Sequence, residues 1–85
     1  MKSFDYTITD EAGIHARPAG LLVKEAKKYQ SKIVVKMGSK AAEATKLMAI
    51  MGMGVKKGDT VTVEAEGGDE DVAVNGMKAF FENNF

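Results

Sequence analysis

The chemistry in this chain is concentrated in one octapeptide, Gly13-Ile14-His15-Ala16-Arg17-Pro18-Ala19-Gly20, which holds its only histidine, its only arginine and its only proline. Pro18 suits the first turn of a helix, where its missing N–H removes no bond. His15 then falls at the helix mouth, beside backbone amides that have no intrahelical partner. Arg17 brings a fork of fixed donors within a turn of the ring. Together they describe a place for a phosphate, cradled by the helix start at Ala16, Arg17 and Pro18. The imidazole is the one group of the three that can carry that phosphate covalently. A lone histidine in a small domain is more often a surface or packing residue. Here three polar features converge on one helix end, which tips the balance toward chemistry.

The elements that must position this site follow from periodicity. Lys2 to Thr9 alternates, with Phe4, Tyr6 and Ile8 against Ser3, Asp5, Thr7 and Thr9, and predicts a half-buried strand; Asp10 to Gly13 turns the chain. Ala16 to Tyr29 reads as a helix facing the core through Ala19, Leu22, Val23, Ala26 and Tyr29 or Gln30. Arg17, Gly20, Lys24 and Lys27 recur on another of its faces, in line with the phosphate end. That face is either ordinary solvated surface or a basic stripe for an acidic partner. Gly20 costs a helix about 1 kcal/mol relative to alanine, and close approach by another surface would explain it.

Ser31 to Met37 predicts a second strand, with a turn at Gly38-Ser39. Lys40 to Val55 is ambiguous. Ala41 to Ile50 is rich in helix formers and reads locally as one helix, because Ala41, Ala42, Glu43 and Ala44 have poor strand propensity. Leu47, Met48, Ile50, Met51 and Met53 form a methionine-rich patch. Part of it must pack inward, and any methionine left outside would make an adaptable contact surface. Asp59 to Glu66 is the most regularly alternating strand. Asp69-Glu70-Asp71 opens a last helix with negative charge at its positive end. Val74, Met77 and Phe81, flanked by Ala73 and Phe80, are its expected buried stripe, and Asn83 to Phe85 is expected to fray.

Bulk properties narrow the function classes. Eighty-five residues with 45% hydrophobic content suit one small folded domain over residues 1–85. Twelve basic and twelve acidic residues cancel, which argues against a nucleic-acid binder working through a basic field. Without cysteine there is neither disulfide nor thiolate metal site, and no metal or organic cofactor is expected. No apolar run reaches the length of a signal core or a membrane span, so the chain reads as cytoplasmic, with no membrane insertion. The order βαββαβα, with helices on one face of a four-stranded, mainly antiparallel sheet, is an α+β two-layer sandwich.

Gly-Ile-His-Ala-Arg-Pro-Ala resembles the active-site signature of HPr, the histidine-containing phosphocarrier of the bacterial phosphoenolpyruvate:sugar phosphotransferase system. The resemblance extends through Ile8-Thr9, Lys24 to Tyr29, Met51 to Gly58 and Asp69-Glu70-Asp71. It implies an open-faced β-sandwich, with a short strand near Lys40 to Ala44 and a short helix near Leu47 to Met53 in place of one long helix. It implies phosphorylation of His15 at Nδ1, with Enzyme I as donor and EIIA domains of sugar permeases as acceptors. The same likeness makes the short helix and the active-site end of the first helix one docking face, with Leu47, Met48 and Met51 at the matching positions; the basic-stripe reading adds Gly20, Lys24 and Lys27 to it. The chain would be a phosphoryl carrier, not a stand-alone enzyme. It departs from the pattern at Lys46, where many family members carry a regulatory serine. The alternatives are a paralogue serving a regulatory branch, such as a nitrogen-related one, and a non-phosphorylated interaction module.

Overall fold

A computed structural model describes residues 1–14 and 16–85. The elements run β1 (Lys2–Thr7), α1 (Ala16–Ala26), β2 (Lys32–Met37), β3 (Lys40–Glu43), α2 (Leu47–Gly52), β4 (Thr60–Glu66) and α3 (Glu70–Asn84). This is the expected βαββαβα order. The four strands form one sheet in the order β1-β4-β2-β3, and each neighbouring pair is antiparallel.

Alternation in the strands becomes two unlike faces. Inward, Ile33 and Val35 of β2 and Val61, Val63 and Ala65 of β4 are buried. Register sets Phe4 opposite Val63, Tyr6 opposite Val61, and Val35 between Val63 and Ala42. Outward, the sheet is polar and carries its own cross-strand pairs. Thr62 donates to Asp5 at 2.6 Å and Lys36 pairs with Glu64 at 3.0 Å. A face so satisfied can stay in water.

The helices cover the inner face. Ala19, Leu22 and Ala26 of α1 are buried, as are Ile50 of α2 and Ala73, Met77 and Phe81 of α3. Phe81 anchors α3 to β1, its ring edge-on to Phe4 at 5.9 Å and Tyr6 at 5.7 Å.

Several boundaries differ from the sequence expectation. β1 stops at Thr7 instead of Thr9, since Thr9 turns away to bond the far end of the chain. β2 starts at Lys32 and β4 at Thr60, each one residue late. α1 stops at Ala26, three residues before Tyr29. There Lys28 N–H bonds the Glu25 carbonyl and Tyr29 N–H the Ala26 carbonyl, an i→i−3 tightening that closes the helix. Tyr29 then lies across Gly76 of α3, where a Cβ would strike its hydroxyl, and donates to Glu25 Oε2 at 2.8 Å. Gly76 thus costs α3 helix propensity and gains it a close neighbour.

On α3 the roles of Ala73 and Val74 are exchanged: Ala73 is fully buried and Val74 only partly, the smaller side chain letting the helix approach the sheet. The expected fraying of Asn83 to Phe85 is also overturned. The helix runs to Asn84, and Phe85 is buried among aromatic neighbours, 5.1 Å from the Phe81 ring.

Residues 40–55 follow the strand-then-helix alternative. β3 survives its poor propensity because β2 supplies the ladder and Ala44 N–H adds a bond to the Ile33 carbonyl at 2.8 Å. Ala42 and Ala44 are buried. Asp69, preceding α3, does not cap its own helix; its carboxylate instead accepts from the Gln30 and Ser31 amides and the Ser31 hydroxyl.

Candidate functional site

The approach to α1 is fastened from several sides. Ile8 exchanges backbone bonds with Asp59 and Gly58 at 2.9 and 2.8 Å. The Phe85 carbonyl accepts from the Thr9 and Asp10 amides and the Thr9 hydroxyl at 2.7, 2.9 and 2.7 Å. Asp10 Oδ1 then takes the Ala12 amide at 2.8 Å, a short side-chain-closed turn. Gly13 has φ +65°, and a Cβ there would collide with the Val55 carbonyl oxygen and lie 2.8 Å from Lys56 Cα. Backbone crosses backbone at this point, so the residue must be glycine. Ile14, buried, donates its N–H to the Val55 carbonyl at 3.1 Å.

α1 begins at Ala16. His15, the expected nucleophile, lies outside the described residues. In a helix starting there, the amides of Ala16 and Arg17 have no carbonyl one turn back, and Pro18 has no N–H to leave unmatched. Ala16 and Arg17 are exposed and Pro18 is buried. The first turn contains no acidic residue. Among the described residues no carboxylate lies within ion-pair distance of Arg17. Among the described residues, the positive end of the helix and the exposed Arg17 thus have no internal counter-charge.

α2 packs against α1 and β3. The methionine-rich patch divides across it. Ile50 and Met53 enter the core, whereas Leu47, Met48 and Met51 remain 39%, 78% and 37% exposed. Lys24 of α1 and Lys27, just past its end, are exposed, and Gly20 is half-buried. A Cβ at Gly20 would meet nothing within 4 Å, so no contact inside the chain requires a glycine there.

Lys46 is the N-cap of α2, exposed and making no side-chain cap bond. α2 has no acidic residue, and the one carboxylate in α1 is Glu25. Burial pushes Glu25 up, but bonds from Tyr29 and Lys28 outweigh it and hold the carboxyl below its ordinary value. In a chain of zero net charge, the exposed residues of α1 and of α2 with its cap thus include the cations Arg17, Lys24 and Lys46 and the apolar Leu47, Met48 and Met51.

Leu21 was missed by sequence reasoning. It is 47% exposed, four residues from Arg17 and three from Lys24 on the same helix face. An apolar residue in the middle of a basic stripe was the available signal.

Among the described residues no cluster of three or more potential ligands could hold a metal, and no helix is long and apolar enough to cross a membrane. A shallow cavity of about 190 Å³ lies away from the helices, on the outer sheet face between Met1, Lys32, Val34, Lys36, Glu64 and Glu66.

Residues 2–83 match the family model described as the phosphorylation-site component of phosphotransferase-system HPr. The chain belongs to the HPr family. The HPr phosphocarrier of Mycoplasma capricolum subsp. capricolum is 40% identical over 78 residues, 92% of this chain and 88% of that one. The HPr of Mycoplasma genitalium is 36% identical over 85 residues, 99% and 97% of the two chains. The crystal structure of an HPr from Thermoanaerobacter tengcongensis superposes with a TM-score of 0.92 at 38% identity, covering 98% of this chain and 93% of that one. As an HPr-family protein, the chain is a phosphocarrier of the phosphotransferase system and not an enzyme in its own right.

Proposed function

We propose that His15 is the residue phosphorylated, at Nδ1. In this reading the phosphoryl group comes from phosphoenolpyruvate by way of Enzyme I and leaves to EIIA domains that drive sugar uptake. The protein works as a single domain in the cytoplasm. The observation that carries the reading is the opening of α1, where Ala16 and Arg17 are exposed ahead of buried Pro18, in a chain whose residues 2–83 match a phosphorylation-site family.

In the proposed step the lone pair of a neutral imidazole nitrogen attacks phosphorus. The P–N bond forms as the bond to the donor's leaving group breaks, and the same exchange in reverse sense delivers the group onward. An imidazole in its ordinary range is largely neutral at neutral pH and keeps a nucleophilic lone pair. The helix opening disfavours a protonated ring and favours the incoming dianion, each by roughly 0.3–1 kcal/mol. A charge-assisted bond from Arg17 adds about 1.5–3 kcal/mol during transfer. Stabilisation of this size retains the group without trapping it.

Gly20, Lys24, Lys27, Leu47, Met48 and Met51 form the docking face in this reading, and Leu21 joins them. Both partners use that one face, because both must reach the same nitrogen. Lys46 offers no hydroxyl, so control through a phosphoserine at that position is absent.

The test is incubation with phosphoenolpyruvate and Enzyme I, then mapping of the acid-labile, alkali-stable phosphate. His15→Ala is expected to abolish labelling. Arg17→Ala is expected to slow transfer with an unchanged melting curve, since its side chain holds no ion pair among the described residues. Full labelling of the His15→Ala variant refutes the assignment. Purified EIIA domains that accept no phosphate from the labelled chain would point instead to a regulatory branch.

A further inference from the structure

We propose that Met48 is an oxidation site through which hydroperoxides weaken partner docking; the inference rests on the docking face proposed above. The chain has no cysteine and six methionines, so thioethers are its only sulfur nucleophiles. They differ sharply in access. Met48 is 78% exposed, Met1 68% and Met51 37%, whereas Met53 and Met77 are 3% and 0% exposed. Thioether oxidation follows accessibility. Met48 is therefore the first target, and it stands beside exposed Leu47 and Met51 on α2. Met1 is well removed: it lines the cavity on the outer sheet face, and its amino group pairs with Glu70 at 3.0 Å. It serves as an internal reference.

The step balances without further components. The sulfur lone pair attacks one oxygen of hydrogen peroxide, the S–O bond forms, and the O–O bond breaks. Water leaves with both peroxide protons. The thioether is oxidised to a sulfoxide and the peroxide is reduced. A dithiol reverses it, yielding thioether, disulfide and water.

A sulfoxide at Met48 changes the surface and not the fold, because the side chain contributes little to the core. Docking is another matter. An apolar contact becomes a strong dipole, and burying it against a partner without a hydrogen bond raises KM on the order of tenfold.

The experiment treats the intact chain with limiting hydrogen peroxide, maps oxygen addition by peptide mass, and measures transfer from phosphorylated Enzyme I before and after. Met48 is expected to oxidise first, with KM rising about tenfold, kcat nearly constant and the melting temperature unchanged. A methionine sulfoxide reductase with dithiol is expected to restore KM. Met48→Leu, whatever its starting rate, is expected to lose no further activity on treatment, whereas Met1→Leu is expected to remain sensitive. Complete Met48 oxidation with unaltered KM overturns the proposal, as does equal inactivation of Met48→Leu or first oxidation at Met51. A chain that accepts no phosphoryl group before treatment refutes the carrier reading and this inference with it.

Discussion

Replacing Gly13 and Gly20 by alanine, one at a time, separates two glycines, seven residues apart in sequence, that the structure treats oppositely. At Gly13 the new Cβ meets backbone at Val55 and Lys56, and φ is +65°. An alanine in that left-handed region costs roughly 1–2 kcal/mol. Withdrawal of Val55 to relieve the collision also sacrifices the 3.1 Å bond from Ile14 N–H, worth about 1 kcal/mol more. The sum, about 2–3 kcal/mol, lowers the melting temperature of a domain this size by roughly 10–20 °C. At Gly20 the added methyl meets nothing within 4 Å, and α1 gains up to about 1 kcal/mol of helix propensity, or roughly 4–8 °C. Thermal and urea unfolding followed by circular dichroism measure both. A Gly13→Ala variant within 0.5 kcal/mol of the parent, a threshold about the noise of an inert surface change, would refute the claim that two backbones cross there. Destabilisation by Gly20→Ala would refute the claim of open space.

Two further outcomes follow from charge. The Ser31 hydroxyl and then the Gln30 amide hold the Asp69 carboxyl below its ordinary value. A depressed folded pKa means that the contribution is present above the unfolded value, near ~3.9, and disappears as pH falls through the lower folded one. The stability gap between the parent and Asp69→Asn is therefore expected to narrow on acidification below about pH 4, as read from urea midpoints across pH; a gap constant with pH would refute it. Lys46→Ser removes a cation from the positive end of α2 and supplies a capping oxygen, and is expected to stabilise by about 1 kcal/mol in the same unfolding assays.

Much of this fold is legible in the sequence where one physical constraint repeats. β4 is read from alternation alone, because Val61, Val63 and Ala65 all enter one core while their neighbours face water. The core side of α1 is read from helical spacing in the same way. β3 is not legible from its own residues. Nothing in Ala41-Ala42-Glu43-Ala44 prefers a strand, and only the likeness to a family indicated one; β2 imposes it from outside. The end of α1 and the ordered C-terminus are hidden for a related reason. One depends on Tyr29 meeting Gly76, the other on Thr9 and Asp10 meeting the Phe85 carbonyl, and neither pairing leaves a local pattern. At the candidate site, Arg17 and Pro18 stand where spacing put them, at the opening of α1. Exposure of Leu47, Met48 and Met51 required coordinates, since periodicity cannot say which part of a short helix is left uncovered.

The pairing of β1 with β4 has a consequence for biosynthesis. Lys2–Thr7, the earliest made of these four strands, finds its ladder partner only in Thr60–Glu66. At ribosomal rates of about 5–20 residues per second, it waits several seconds with its hydrogen-bonding edge unmatched. Ser3, Asp5 and Thr7 interrupt its apolar side chains at every second position, and that polar interleaving keeps the waiting segment from adhering to other nascent chains. The last strand to emerge is thus the one that releases the first from its exposure.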